Sequence, residues 1–393
     1  MTAHKPAIAA DGFAIRLSLF YIGLFVALGI QMPFLPVWLA ARGLDADAIG
    51  TVLAAPLVVR IVTVPLVTGA ADRWGVLRGA LVLVASASAV GYAILGFAAG
   101  FWPILAVLAM ASAAFTSVFP LADAYALKGL ATRGGSYGSV RLWGSGAFIV
   151  GSLGAGTLAE IVPPAHLIWL MVAGLLVMAL TAAGLRPVAS PARSRSASSN
   201  LAFLRSPAFL AVAAAASLIQ ASHALFYGFS TLDWTAAGLT GQTIGALWAT
   251  GVVAEIILFA VSGRLLAAFS PAALLGAGAA GAVVRWGCMA FDPPVFMLAL
   301  LQCLHGLSFG ATHIGTVQFL ARAAPERFGA TAQGTLAIIL GGVMAVFMGL
   351  AGRLYGAYGG RAYGAMALAG LAGGLLALVA DRQWRQDVCV GGK

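Results

Sequence analysis

The sequence predicts an all-α integral membrane protein, with twelve transmembrane helices in two pseudo-symmetric six-helix bundles. Three observations carry that reading. Hydrophobic residues make up 61% of the 393 residues and charged residues 9%, against roughly 25% charged in an ordinary soluble domain. The apolar stretches are about 20 residues long, the length that crosses a bilayer as a helix. The longest polar stretch, 186–206, is rich in Ser and Arg and divides the spans into six and six.

The predicted spans are 13–40, 48–71, 78–100, 102–127, 136–160, 164–185, 207–234, 241–267, 271–291, 294–321, 330–355 and 361–381. Gly43, Pro103, Pro163 with Pro164, Pro207, Pro271 and Gly359 with Gly360 punctuate their ends. The expected domains are therefore an N-terminal bundle over 13–185, a cytoplasmic linker over 186–206 and a C-terminal bundle over 207–381. The 50 glycines lie inside apolar runs, where they let helices approach closely in lipid. Cys288, Cys303 and Cys389 show neither metal spacing nor a disulfide framework. No metal and no cofactor is expected, and a monomer is. The segment before Gly12 has no small-residue cleavage site, so no removable signal peptide is expected.

Charge placement sets the orientation. With the N-terminus inside, sixteen Lys and Arg residues fall in cytoplasmic segments, among them Lys5, Lys128, Arg327, Lys393 and the linker residues Arg186, Arg193, Arg195 and Arg205. Only Arg42, Arg353 and Arg361 fall outside. The positive-inside rule then places both termini in the cytoplasm, and the expected location is a bacterial inner membrane. It also accounts for the net charge of +10 without nucleic acid. A repeat supports two equivalent halves: Gly43–Gly50 reads GLDADAIG, and Gly238–Gly245, 195 residues later, reads GLTGQTIG, with four of eight positions identical. Parallel repeats of this kind build secondary transporters around a mid-membrane cavity.

A charge at membrane depth is costly and marks a functional site by default. Asp123 stands in the fourth apolar run and Arg141 opens the fifth, so the two are expected to pair. The 195-residue offset maps Arg60 onto Glu255, a second expected pair across the cavity. Arg285 lies in the ninth span, either functional or snorkelling. His223, His305 and His313 are candidates for the cavity wall, and a histidine titrates near neutral pH; the bland alternative is packing. His305 and His313 share one helix face. Tyr125, Trp143, Phe226, Trp248 and Phe309 sit within a turn or two of these groups and suit an apolar cavity body, although each alone is more often core. Three bases against two acids leave one arginine unpaired, which favours a substrate carboxylate. Glu255, then Asp123, is the expected proton carrier, with His305 beside it. No nucleophile–base set or cofactor loop points to an enzyme.

After the second span, Gly69-Ala70-Ala71-Asp72-Arg73-Trp74-Gly75 is similar to the cytoplasmic signature of the major facilitator superfamily. The resemblance implies a conformational latch at Asp72, Arg73, Gly75 and Arg78. Gln31–Leu39 (QMPFLPVWL), Tyr137–Ser145 (YGSVRLWGS) and Leu304–His313 (LHGLSFGATH) resemble the phenylpropionate permease group. Pro120 with Asp123, and Arg141, Glu255, Arg285 and His305, resemble the site pattern of lactose permeases, with Ser308 and Gln302 departing from it. The implied function is proton-coupled symport of a small organic anion, such as a phenylpropionate-type aromatic acid. The alternatives are a sugar or nucleoside symporter and a multidrug exporter.

Overall fold

The computed structural model describes residues 12–133, 135–188, 201–323 and 329–391, with side chains described for all but 201, 202, 329–331 and 384–391. Lys5, Arg193, Arg195, Arg327 and Lys393 lie outside the described residues, as do the side chains of Trp384 and Cys389.

Twelve long helices follow one another among the described residues: α1 Phe13–Ala41, α2 Ala46–Trp74, α3 Leu77–Phe97, α4 Phe101–Arg133, α5 Tyr137–Leu158, α6 Leu167–Ala183, α7 Pro207–Ala236, α8 Gly241–Ala260, α9 Pro271–Met289, α10 Val295–Ala323, α11 Gly329–Tyr358 and α12 Tyr363–Gly391. Ten helical stretches are long and apolar enough to cross a membrane, the last of them taking in both α11 and α12. α5 is not among them, because glycine and serine dilute its apolar residues. α7 is interrupted between Ala221 and Ala224, and α10 carries a π-helical stretch over Gly306–Ala311. Prolines inside α1, α2 and α4 are tolerated because neighbouring helices satisfy the freed backbone groups.

In the first half α1 packs on α5 and α6, and α4 on α2 and α3. In the second half α12 packs on α7 and α9, and α8 on α10. The two halves meet mainly through α2 against α11 and α5 against α8. The repeated octapeptide explains where. Gly43 and Gly238 each take φ 83°, the left-handed region that glycine enters freely. Two residues on, Asp45 and Thr240 cap α2 and α8 by accepting from the amides of Ala48 and Thr243. The last glycine of each copy then faces the other half. Gly50 lies on Gly352 of α11, and Gly245 lies on the Ser152 backbone of α5, whose hydroxyl donates to the Gly245 carbonyl at 3.0 Å. Asp47 pairs with Arg353 at 3.2 Å and Glu160 accepts from the Gln242 amide at 3.0 Å. These contacts seal the end of the molecule that carries Gly43. Toward the other end, which carries Asp72, α2 leaves Val58, Val62 and Leu66 exposed.

At the Asp72 end, arginines hold carbonyls at and just beyond the end of α6. Arg16 donates to Gly184, Arg78 to Ala183 and Leu185, and Arg133 to Pro187. Cations at a helix C-terminus are favoured by its dipole. Arg78 is thus engaged away from Asp72, which pairs with Lys128 of α4 at 3.4 Å instead. Gly75 (φ 65°) ends α2, and Arg73 is exposed.

A side chain at Gly50 would place its Cβ 2.8 Å from Gly352 Cα. Gly50→Val should therefore weaken the seal by about 1–3 kcal/mol, the usual cost of overpacking. A cysteine at Leu53, behind the seal, should then react at least about tenfold faster with a membrane-impermeant maleimide added from the Gly43 side, the factor that about 1.4 kcal/mol commands. Unchanged labelling would show that these glycines do not make the seal.

Candidate functional site

The polar core of the second half is built around Arg285 of α9, which is fully buried. Its guanidinium stacks between Phe226 and Trp286, 4.5 and 4.4 Å from their centroids, and an aromatic face attracts a cation. One terminal nitrogen donates to Gln302 Oε1 and the other meets His305 Nδ1 at 3.0 Å. Arginine can only donate, so Nδ1 accepts and neutral His305 carries its hydrogen on Nε2. That nitrogen lies 3.5 Å from Glu255 Oε2. The result is a chain from Arg285 through His305 to a carboxylate that is one-quarter exposed. Arg285 Nε and the Gln302 amide nitrogen have no hydrogen-bond partner among the described residues.

α10 presents His305, Phe309 and His313 as one stacked column, with centroid separations of 5.2 and 6.3 Å. Phe226 lies 4.6 Å from Trp248, whose indole donates to Thr231 at 3.3 Å, and Tyr227 stacks on the same indole. The charge of Arg141 reaches Glu255 from α5, across the cavity between the halves.

The first half is organised differently. Asp123 Oδ1 accepts from the hydroxyls of Tyr21 and Tyr137, each at 2.8 Å. Arg141 lies over the ring of Phe25 at 4.0 Å and over Tyr21 at 5.9 Å. The expected Asp123–Arg141 ion pair is therefore not made. The two charges flank Tyr21, one at its hydroxyl and one over its ring. The expected Arg60–Glu255 pair is not made either: the Arg60 guanidinium lies along α11 against Gly341, and Glu255 is taken by His305. The repeat placed both residues at one depth, but α2 turns Arg60 toward the helix it packs on.

Three further expectations change. Tyr125 is fully buried and donates to the Arg186 carbonyl at 2.6 Å, so it anchors the exit of α6 and does not line the cavity. Trp143 is 61% exposed. It is nine residues from Ser152, which faces α8, and at about 100° per residue it points the opposite way. It lines an outer groove of about 650 Å³ between α1 and α5, with Ile22, Val26 and Val150. His223 is fully buried with both nitrogens engaged, by Ser308 on one side and by the Ile219 and Gln220 carbonyls on the other. Tyr21, Tyr137 and Phe25 were not singled out from the sequence as site residues. Their signal was their spacing: Tyr21 and Phe25 are one turn apart on α1, and Tyr137 stands one turn before Arg141.

The MFS_1 like family model matches residues 14–366. The probable 3-phenylpropionic acid transporter of Escherichia coli (strain K12) is 34% identical over 318 residues, covering 78% of this chain and 81% of that protein. The maltose permease of Geobacillus stearothermophilus is 32% identical over 324 residues, 80% of each. The solved nucleoside transporter NupG superposes with a TM-score of 0.78 over 95% of this chain and 99% of its own, at 15% identity. A bacterial homolog of the human lysosomal transporter Spinster, in its inward-facing and unoccupied conformation, gives 0.76 over 98% and 99%, at 13% identity. At those identities the two solved structures speak to the fold alone. The family match and the relatives over 30% identical carry the assignment: this chain belongs to the MFS_1-like family and is a multi-pass membrane transporter of the major facilitator fold, not an enzyme.

Proposed function

We propose that the protein is a proton-coupled symporter of a small organic anion, an aromatic carboxylic acid of the phenylpropionate type. The observation that carries this reading is a mismatch of charge. Arg60, Arg141 and Arg285 lie in the membrane-spanning helices with no carboxylate ion-pair partner among the described residues, while Asp123 accepts from tyrosine hydroxyls and Glu255 lies beside a histidine. A substrate carboxylate supplies the partner that Arg141 lacks, and guanidinium groups recognise carboxylates by paired hydrogen bonds. Phe25, Phe309 and Tyr227 provide apolar surface for its ring. The relative described as a 3-phenylpropionic acid transporter supports the same class.

Glu255 is the proton carrier in this scheme, with Asp123 the alternative. His305 orients Glu255 but does not store the proton, because Arg285 occupies its second nitrogen. The bundles 13–185 and 207–381 rock about the cavity, joined by the linker 186–206. The Asp72 end faces the cytoplasm of a bacterial inner membrane by the positive-inside rule, with Asp72, Arg73 and Gly75 closing against the second half when that end shuts. The functional unit is a monomer, and no cofactor takes part. A neutral sugar or nucleoside is the second reading, favoured by the maltose permease relative.

Proteoliposomes with an inward proton gradient should accumulate labelled 3-phenylpropionate, with competition by carboxylates and not by maltose or uridine. The reverse pattern of competition would select the second reading, and no uptake of any of the three would remove both. Glu255→Gln should abolish gradient-driven accumulation while leaving substrate exchange within about threefold. Arg141→Lys should weaken uptake by about tenfold or more through the affinity term, because an ammonium cannot replace a planar fork.

Arg285→Lys tests the buried chain. Lysine cannot reach Gln302 and His305 together, and a buried charge left short of partners costs about 2 kcal/mol or more. The expected outcome is a melting temperature several degrees lower in detergent. An unchanged melt would show that the His305–Gln302 anchorage is not needed for stability.

A further inference from the structure

Two interruptions of helical geometry in the second half meet at one hydrogen bond. In α7 the carbonyls of Ile219 and Gln220 are taken by side chains: Ser222 Oγ donates to Ile219 at 2.6 Å, and His223 Nδ1 lies 3.2 and 3.1 Å from the two. Such competition interrupts a helix, and α7 resumes only at Ala224. In α10, residues 306–311 are π-helical, an insertion that occurs mostly as single turns, frequently at functional sites. Ser308 stands inside it and donates to His223 Nε2 at 3.0 Å. The direction follows from the carbonyls opposite: they only accept, so Nδ1 carries the hydrogen and Nε2 offers its lone pair. Ser308, His223 and Ser222 are completely buried. Gln220 Nε2 adds a second tie, to the Phe309 carbonyl at 3.4 Å.

Each side of this clasp leads to a working part. The π segment begins directly after His305, which holds Glu255, and Gly306 lies against the Ala254 carbonyl beside that acid. The second segment of α7 belongs to the seal: it packs on α1, α2 and α11, with Gly228 against Met348 and Leu53. The first segment packs mainly on α12 and also on α11. The two segments share α11, but the second also reaches α1 and α2 of the first half, and the break between them is where they can move apart.

We infer that Ser308 and His223 are positioning residues of the transport cycle, a clasp that passes the charge state of Glu255 from the π segment of α10 to the sealing segment of α7. This rests on the reading of Glu255 as proton carrier. The ionisable groups around Glu255 are His305 and His313 of α10, Tyr227 of α7, Arg141 of α5 and, through His305, Arg285 of α9. A charged Glu255, 3.5 Å from His305 Nε2, attracts the hydrogen there and so steadies the start of the π segment. A proton arriving from water on Glu255 removes that attraction. The extra residue of the π turn can then shift, Ser308 changes register against His223, and the second segment of α7 is released from α10.

The test needs no substrate. In a background without Cys288, Cys303 and Cys389, spin labels are placed at the exposed residues Ala99 and Ala237 of the Gly43 end, and their separation is measured in acid and alkaline liposomes. The otherwise native protein should populate two separations in a ratio that depends on pH. Ser308→Ala, and His223→Asn, which keeps a donor for the α7 carbonyls, should each shrink that dependence about fivefold, the factor that one lost neutral hydrogen bond commands. The double variant should lose no more than either single change, as expected for two ends of one interaction. Native-like melting of Ser308→Ala confirms folding. A full pH response in folded Ser308→Ala overturns the clasp, as does a native background with no pH response. A full response in Glu255→Gln overturns Glu255 as its source and the proton-carrier assignment with it. Failure of 3-phenylpropionate uptake leaves this measurement unaffected.

Discussion

A guanidinium that is wholly buried and has no carboxylate beside it must be satisfied by other means, and much of the second half follows from that requirement. Burying an unpaired ion costs several kcal/mol even after relaxation. Arg285 meets this with two aromatic faces and two hydrogen bonds. Each of those contacts constrains something else. Gln302 is fixed by its carbonyl oxygen, and His305 is held in one tautomer with its other ring nitrogen 3.5 Å from Glu255. Trp286, which stacks under the guanidinium, donates to Ser222 at 2.8 Å, so the same arginine is tied to the break in α7. The acid that faces the cavity is thus oriented from behind by a charge that never reaches the cavity itself.

The two halves share a backbone plan and differ in chemistry. The octapeptide copies fold alike, down to the capping residue and the glycine that meets the opposite half. At mid-membrane the correspondence ends. The first half holds its acid, Asp123, with two tyrosine hydroxyls and leaves Arg141 on aromatic rings, whereas the second holds its acid with a histidine braced by an arginine. Neutral donors such as tyrosine stabilise a carboxylate without cancelling its charge. Asp123 and Arg141 therefore remain electrically distinct on either side of Tyr21.

Much of the fold was legible in the sequence because lipid imposes a length and a polarity that composition records directly. Most helix boundaries agree to within several residues, although α12 runs on to Gly391 from a predicted end at 381, and the glycine-bounded repeat marked the two equivalent halves. The membrane-depth charges were legible one by one, but their pairing was not. The offset that relates Arg60 to Glu255 preserves depth and says nothing about rotation around each helix, and α2 turns Arg60 onto α11. Trp143 illustrates the same limit, since two residues from Arg141 it already faces the opposite way. Tyr125 was legible as an aromatic near an acid; its hydroxyl is claimed by a backbone carbonyl of a segment distant in sequence, which no local pattern encodes. Ser308 appeared only as a departure from the lactose-permease pattern. Its role depends on a π turn, and a single inserted residue in a helix leaves no periodic trace over so short a length.

The seal itself is nearly indifferent to protons. Gly50 on Gly352 and Gly245 on the Ser152 backbone are contacts between main chains, and the one ion pair there, Asp47 with Arg353, is exposed on both sides. Exposed pairs contribute little. A proton at Glu255 has little direct electrostatic hold on such a seal, because its main-chain contacts are uncharged and its charged groups are exposed to solvent. Its effect has to arrive as a displacement of helices. α7 is broken between a first segment that touches the His305 column and a second that touches the opposite half. The break at Ser222 and His223 divides those duties at the depth of Arg285. For that reason the coupling between proton and gate is best sought in the hydrogen bonds around the break, and not in further charged residues at the gate.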